Sequence, residues 1–210
     1  MANQTNVVFI HGSGQSNLSF NFLEIFLPEH NLLSLEYDVQ EDPEQIVKRF
    51  KFLIDQNLGD EPFSIIAHSY GCVLSARLLS YYDNVKHLFA LSSPWAGSRT
   101  AKWLSLVFRQ SKLFATMTPG SAFLTSIADT NSEIPITNII TAGTSSGNAL
   151  AGLGSSPNDG LLTIETQTKV PVGFVNKENI TVDLSHNEVL LSMDIVNLIK
   201  ERVFDDYNRD

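Results

Sequence analysis

Six short, almost uninterrupted apolar runs, separated by longer stretches of helical period, set the narrowest bounds on what this chain can fold into. They cover residues 7–10, 32–37, 63–67, 88–91 and 139–142, with a weaker one at 180–184. A strand open to water on one side alternates apolar with polar residues, whereas one covered on both faces reads as a continuous apolar run. Strands alternating with helical segments build parallel sheets. The expected architecture is therefore α/β: a mostly parallel, doubly wound sheet of about six strands flanked by helices.

The intervening segments carry the matching helix signals. Asp42-Pro43 offers an acidic cap followed by proline in the first turn, and Ile46, Val47, Phe50, Leu53 and Ile54 then fall on one stripe. A second helix is expected after Ser69, with Val73, Leu74, Leu78 and Leu79 inward. A third is expected over about 187–203, carrying Val189, Leu190, Met193, Ile195, Val196 and Ile199. Between residues 92 and 132, helical pieces around 103–108 and 123–127 flank Pro119-Gly120, and the part from about 95 to 132 is expected to form a small helical cap. Residues 144–160 turn to Gly, Ser and Asn, the composition of a long loop, and loops of that length in a compact fold are usually functional.

A length of 210 residues suits one domain spanning 1–210. The net charge of −9, without any Lys/Arg cluster, opposes binding to nucleic acid or anionic lipid. Cys72 is the single cysteine, so no internal disulfide forms. Neither a secretory leader pattern nor an apolar run of about twenty residues is visible. The expectation is a soluble, cytoplasmic protein without stable membrane insertion; the sequence leaves its oligomeric state open.

The chemistry concentrates at four places. Phe63 to His68 is a buried run leading directly into a helix, with Ser69 at the junction. Such a turn is so tight that the positions two before and two after the serine must be small, and Ala67 and Gly71 meet that demand. Val7 to Ile10 ends in His11-Gly12-Ser13-Gly14, a loop able to turn backbone N–H groups toward the serine. Fixed N–H donors stabilise the negative charge of an acyl-transfer transition state, and Ser13 and Tyr70 are assigned as these donors.

A hydroxyl needs a neighbouring base. Of the five histidines, His68 adjoins the serine and should point away from it, His11 belongs to the glycine loop, and His30 and His87 sit at surface or strand-start positions. His186, after the last apolar run and before the last helix, is left as the base. The carboxylate that orients it should lie between serine and histidine on a late loop. Asp159 in Asn158-Asp159-Gly160 satisfies this; Asp129 comes too early and Asp183 stands only three residues before the base.

Together these segments resemble the compact bacterial lipases and esterases of the α/β-hydrolase superfamily, whose elbow reads Ala-His-Ser-x-Gly, as in Ala67 to Gly71. Leu91-Ser92-Ser93-Pro94-Trp95-Ala96-Gly97 is similar to the family's Pro-His-x-Gly segment, with Trp95 replacing the histidine. Pro119 to Leu124 and Asn158 to Leu161 resemble further family segments. The resemblance implies an α/β-hydrolase fold and a serine hydrolase cleaving small carboxylic esters through an acyl-enzyme on Ser69, without cofactor. Some of these lipases bind calcium through an aspartate just after the histidine; Asn187 and Glu188 stand there in this chain, and no metal is expected. Trp95, Trp103 and Phe108, with Leu104, Val107, Phe114 and Phe123, are expected to line the acyl pocket. A thioesterase or acyltransferase shares all these elements, and a non-catalytic binding protein shares the fold. A dehalogenase would want aspartate in place of Ser69.

Overall fold

The computed structural model describes residues 5–28, 30–98, 112–128, 130, 132–143 and 156–204. All six expected strands form: β1 (Thr5–Ile10), β2 (His30–Leu35), β3 (Phe63–His68), β4 (Val85–Leu91), β5 (Ile136–Thr141) and β6 (Lys177–Val182). They pair in the order β2-β1-β3-β4-β5-β6, and every pairing is parallel. From β1 the chain first moves outward to β2, then returns past β1 to β3 and continues the other way. The switch in direction thus falls between the carboxyl ends of β1 and β3, where open α/β sheets place their ligand crevices.

Residue alternation along each strand divides the core into two layers. Val8, Ile10, Ile65, Ala67, Leu88 and Ala90 face α2 (Pro43–Asn57) and α3 (Tyr70–Leu78). Val7, Phe9, Ile66, Phe89 and Leu91 face the other way, against residues of α1 (Asn21–Phe26) and the C-terminal segment. Both faces are therefore apolar, which explains the unbroken runs in sequence. Fully burying side chains such as Phe9 and Phe50 contributes about 1.5–3 kcal/mol each.

The local signals of α2 act as expected. The Asp42 side chain accepts a hydrogen bond from Glu44 N–H at 3.1 Å, Pro43 opens the helix, and Ile46, Val47, Phe50 and Ile54 are buried while Leu53 is partly so. Short helices α4 (Lys112–Thr116) and α5 (Ala122–Ala128) lie between β4 and β5, and α6 (Ile164–Thr168) precedes β6. The expected piece at 103–108 lies outside the described residues.

The C-terminal segment differs from the single helix read in sequence. A 3-10 turn at Glu188–Leu191 is followed by Ser192 in extended conformation (φ −101°, ψ 128°), then by α7 (Met193–Ile199) and a π turn at Lys200–Phe204. The break lets one turn bury Val189 and Leu190 beside the His186 loop while α7 buries Ile195, Val196 and Ile199. Apolar period alone registers both pieces as one stripe. Among the described residues, no helix is long and apolar enough to cross a membrane.

Candidate active site

Ser69 sits between β3 and α3 with φ 52° and ψ −123°, a conformation that costs a non-glycine residue about 1–3 kcal/mol. Its N–H donates to Leu91 O at 2.8 Å, and its carbonyl accepts from Cys72 N–H at 3.0 Å, so flanking elements hold the strained turn. The demand for small neighbours is literal: a Cβ on Gly71 would lie 2.3 Å from Ile10 O and 2.6 Å from His11 O. Ala67 is fully buried between Ile10 and Ala90 in the sheet register. Cys72 lies just beneath, its thiol donating to Ala67 O and pushed up to about 12 by burial.

The three side chains named from sequence come together. His186 Nε2 lies 3.0 Å from Ser69 Oγ, and His186 Nδ1 lies 2.8 Å from Asp159 Oδ2, across separations of 117 and 27 residues. His186 is 5% exposed and Asp159 1%. Burial alone would raise the Asp159 carboxyl. Hydrogen bonding and charge at His186, with donors from Thr141 and Leu162, outweigh it and hold the carboxyl below the ordinary carboxylate range. Asp183, the alternative acid, is exposed.

His186 is fixed through its main chain as well. Its N–H donates to Asp159 O at 3.0 Å, and its carbonyl accepts from His68 Nε2 at 2.9 Å. His68 points toward the loop that carries His186. Its ring centre is 4.9 Å from that of His186, and Nδ1 lies 2.9 Å from Gln15 Oε1. Burial first, and the His186 imidazole second, push His68 down to about 3, which opposes a proton on Nδ1 even though Gln15 Oε1 faces it. Gln15 Oε1 accepts from Gly12 N–H at 3.0 Å and its amide donates to Asn187 Oδ1 at 3.2 Å, which ties the glycine loop to the His186 loop. A side chain at position 12 would collide with Gln15 and His68.

His11 is buried, and its Nδ1 donates to Gly12 O at 2.7 Å. It stacks on Tyr37 at 4.5 Å and faces Glu36 at 3.0 Å. These contacts brace the loop that carries Ser13. Tyr70 is the first residue of α3, so its N–H has no preceding turn of helix to bond to. Ser13, Tyr70, Ser69 and His186 all border one cavity of about 380 Å³.

The apolar wall of that cavity comes from Pro94, Leu113, Phe114, Met117, Leu161 and Leu162. Trp95, expected there, is instead buried with its Nε1–H donating to Asn138 Oδ1 at 2.9 Å, and does not border the cavity. An indole needs a buried acceptor for its N–H, and Asn138 on β5 supplies one away from the cavity. Phe123 is likewise buried in the core layer. Trp103, Phe108, Leu104 and Val107 lie outside the described residues. Among the described residues, no group of three His, Cys, Asp or Glu side chains is placed to hold a metal ion. Glu188 instead accepts from Ser185 N–H at 2.8 Å.

An all-parallel sheet in this order, with a strained serine on the turn from β3 to α3, is the α/β-hydrolase fold, and solved structures agree. Phospholipase PlaB from Legionella pneumophila superposes with a TM-score of 0.75 at 15% identity, over 99% of this chain and 62% of that one. The chain thus spans about three-fifths of that phospholipase. Lipase BlEst2 from Bacillus licheniformis, in mature form, gives 0.71 at 16% identity, covering 96% and 92%. An esterase from Pyrococcus furiosus gives 0.64 at 17%, covering 99% and 83%. No protein-family model and no curated protein sequence matches the chain.

Proposed function

We propose that the protein is a serine hydrolase of carboxylic esters, lipase- or esterase-like, acting through an acyl-enzyme on Ser69. The observation that carries this reading is the continuous chain from Ser69 Oγ through both His186 nitrogens to Asp159. In the proposed cycle His186 takes the Ser69 proton as Oγ attacks the ester carbonyl, while the N–H groups of Ser13 and Tyr70 receive the developing oxyanion. The proton then passes to the departing alcohol. Water, activated by His186, releases the acid and returns the proton to Ser69. Asp159 stays ionised throughout and stabilises the imidazolium.

The apolar wall around Phe114, Met117 and Leu162 suits an acyl chain, and the phospholipase, lipase and esterase among structures of the same fold support an ester substrate. We assign α4 and α5 to a small cap within a single domain over this wall.

A fluorophosphonate probe should label the wild type and leave Ser69→Ala unlabelled; equal labelling of both removes Ser69 from the site. Turnover of p-nitrophenyl esters of increasing chain length, run beside acyl-CoA thioesters, separates the ester reading from a thioesterase. Turnover of thioesters alone would replace it.

A further inference from the structure

Asp159 receives far more than the His186 proton. Its Oδ1 accepts from the N–H groups of Leu161 at 2.9 Å and Leu162 at 2.7 Å. Its Oδ2, the oxygen that faces His186, also accepts from Thr141 Oγ1 at 2.6 Å and Gln167 Nε2 at 3.2 Å. Thr141 closes β5, and its single hydroxyl proton has three acceptors in reach, Asp159 Oδ2 at 2.6 Å, Ser92 Oγ at 2.9 Å and Gln167 Oε1 at 3.1 Å. The charged and shortest of them, the carboxylate, competes best for it, which leaves Ser92 to donate to Thr141.

Gln167, on α6, is 0% exposed. Its Oε1 accepts from Thr141 N–H at 2.9 Å, while its Nε2 donates to Thr141 O at 3.0 Å. The amide thus pairs with the end of β5 as a neighbouring strand would. That pairing fixes which end carries the protons, because a flipped amide would oppose donor to donor and acceptor to acceptor. The second Nε2 proton is thereby aimed at Asp159. Neither contact is needed to close the sheet, and both converge on the one oxygen that faces the base.

We propose that Thr141 and Gln167 are positioning residues of the site: they anchor Asp159 Oδ2 against His186 Nδ1 and, by sharing that oxygen, set how tightly it holds the imidazole proton. This inference rests on the Ser69, His186 and Asp159 reading. The titratable groups facing the cluster are Asp159, His186 and His68, the last of them pushed down by burial; Glu188 is exposed and bonded to Ser185. Removing a donor leaves Oδ2 more basic and less firmly oriented, with Oδ1 still held by Leu161 and Leu162 N–H. The base then gives up its proton at higher pH and meets Ser69 in the correct orientation less often.

The test is the pH profile of kcat/KM, with kcat and KM separated, on a p-nitrophenyl ester. Thr141→Val is nearly isosteric and suits a strand, so the fold is kept. It should lower kcat by about tenfold with KM little changed, and shift the acid limb upward by about half a pH unit or more. Thr141→Ser should restore both. Gln167→Met should act in the same direction, with a lower Tm because the Thr141 backbone loses its partners.

A Thr141→Val enzyme with wild-type kcat and acid limb overturns the proposal, as does a Thr141→Ser enzyme equally impaired. A wild type without Ser69-dependent turnover removes the hydrolase reading itself, and this inference with it. An active wild type beside an unaffected Thr141→Val variant removes this inference alone.

Discussion

His68 Nε2 lies 2.9 Å from the backbone oxygen of His186, so the residue just before the elbow serine grips the main chain of the residue that faces that serine. The adjacency of His68 and Ser69 along the chain is therefore put to use at a distance of 118 residues in sequence. Gln15 Oε1 beside Nδ1 favours a second proton on the His68 ring, but burial opposes it and pushes the ring down to about 3.

That opposition gives a pH dependence of stability with a definite sign. The unfolded chain binds a proton at His68 below about 6.5, whereas the folded chain binds it only near 3. Between those values the unfolded state holds more protons, so stability falls as pH drops, by up to about 1.4 kcal/mol per unit. Asp159, with its carboxyl depressed, adds a second loss at lower pH, as the solution falls below the usual carboxylate value and then through the folded one. Urea midpoints between pH 7 and 5 should decline for the wild type and decline less for His68→Gln. Parallel declines would show that His68 is not the group responsible.

Gly71 separates a steric requirement from a conformational one. A Cβ there would lie 2.3 Å from Ile10 O, in backbone that cannot yield cheaply, whereas one on Gly14 would meet nothing within 4 Å. Gly71→Ala should therefore destabilise by more than about 3 kcal/mol or prevent folding. Gly14→Ala, strained only by its φ of +70°, should cost about 1 kcal/mol. Urea unfolding of the two variants checks this, and comparable losses would contradict the packing argument.

Trp95 gives a test in which stability and activity part. Its indole N–H satisfies Asn138 Oδ1, and Asn138 is fully buried, with its amide donating to Gln167 O and Asn179 Oδ1. Trp95→Phe should lower stability by about 1–3 kcal/mol, because an acceptor is left unpaired. KM for a p-nitrophenyl ester should stay unchanged. A KM raised severalfold without loss of stability would return Trp95 to the substrate pocket.

What the sequence discloses follows from how local each signal is. The strands were legible because a sheet covered on both faces needs unbroken apolar runs, and α2 because Asp42 and Pro43 mark its start. Ser69, His186 and Asp159 were legible because a strand-to-helix turn with small neighbours is a local pattern and chain order orders the rest. Thr141, Gln167 and the grip of His68 on His186 were not. They depend on which loops meet above the sheet, and a glutamine in a five-residue helix carries no mark of what it will touch. The break at Ser192 was hidden because two helical pieces sharing one buried face have the same period as one helix. Trp95 is placed differently because apolar bulk near the strand-to-helix serine fits a cavity wall and a core equally well.

The backbone at Ser69 yields the last prediction, in which function and stability oppose each other. With φ at 52° the residue occupies a region natural to glycine, and the bonds to Leu91 O and from Cys72 N–H hold it there. Ser69→Gly should relieve that strain, while Ser69→Ala keeps the Cβ that causes it. Glycine also gives the unfolded chain more freedom, which offsets part of the gain, so the net advantage of glycine over alanine should be about 1 kcal/mol. On the proposed mechanism both variants should lose about a thousandfold or more in ester turnover, since neither has the Ser69 hydroxyl. Tm and urea midpoints for the pair, beside the wild type, provide the measurement. Alanine equal to or more stable than glycine would mean that the turn is not strained in solution, and that the serine is held by its surroundings without cost.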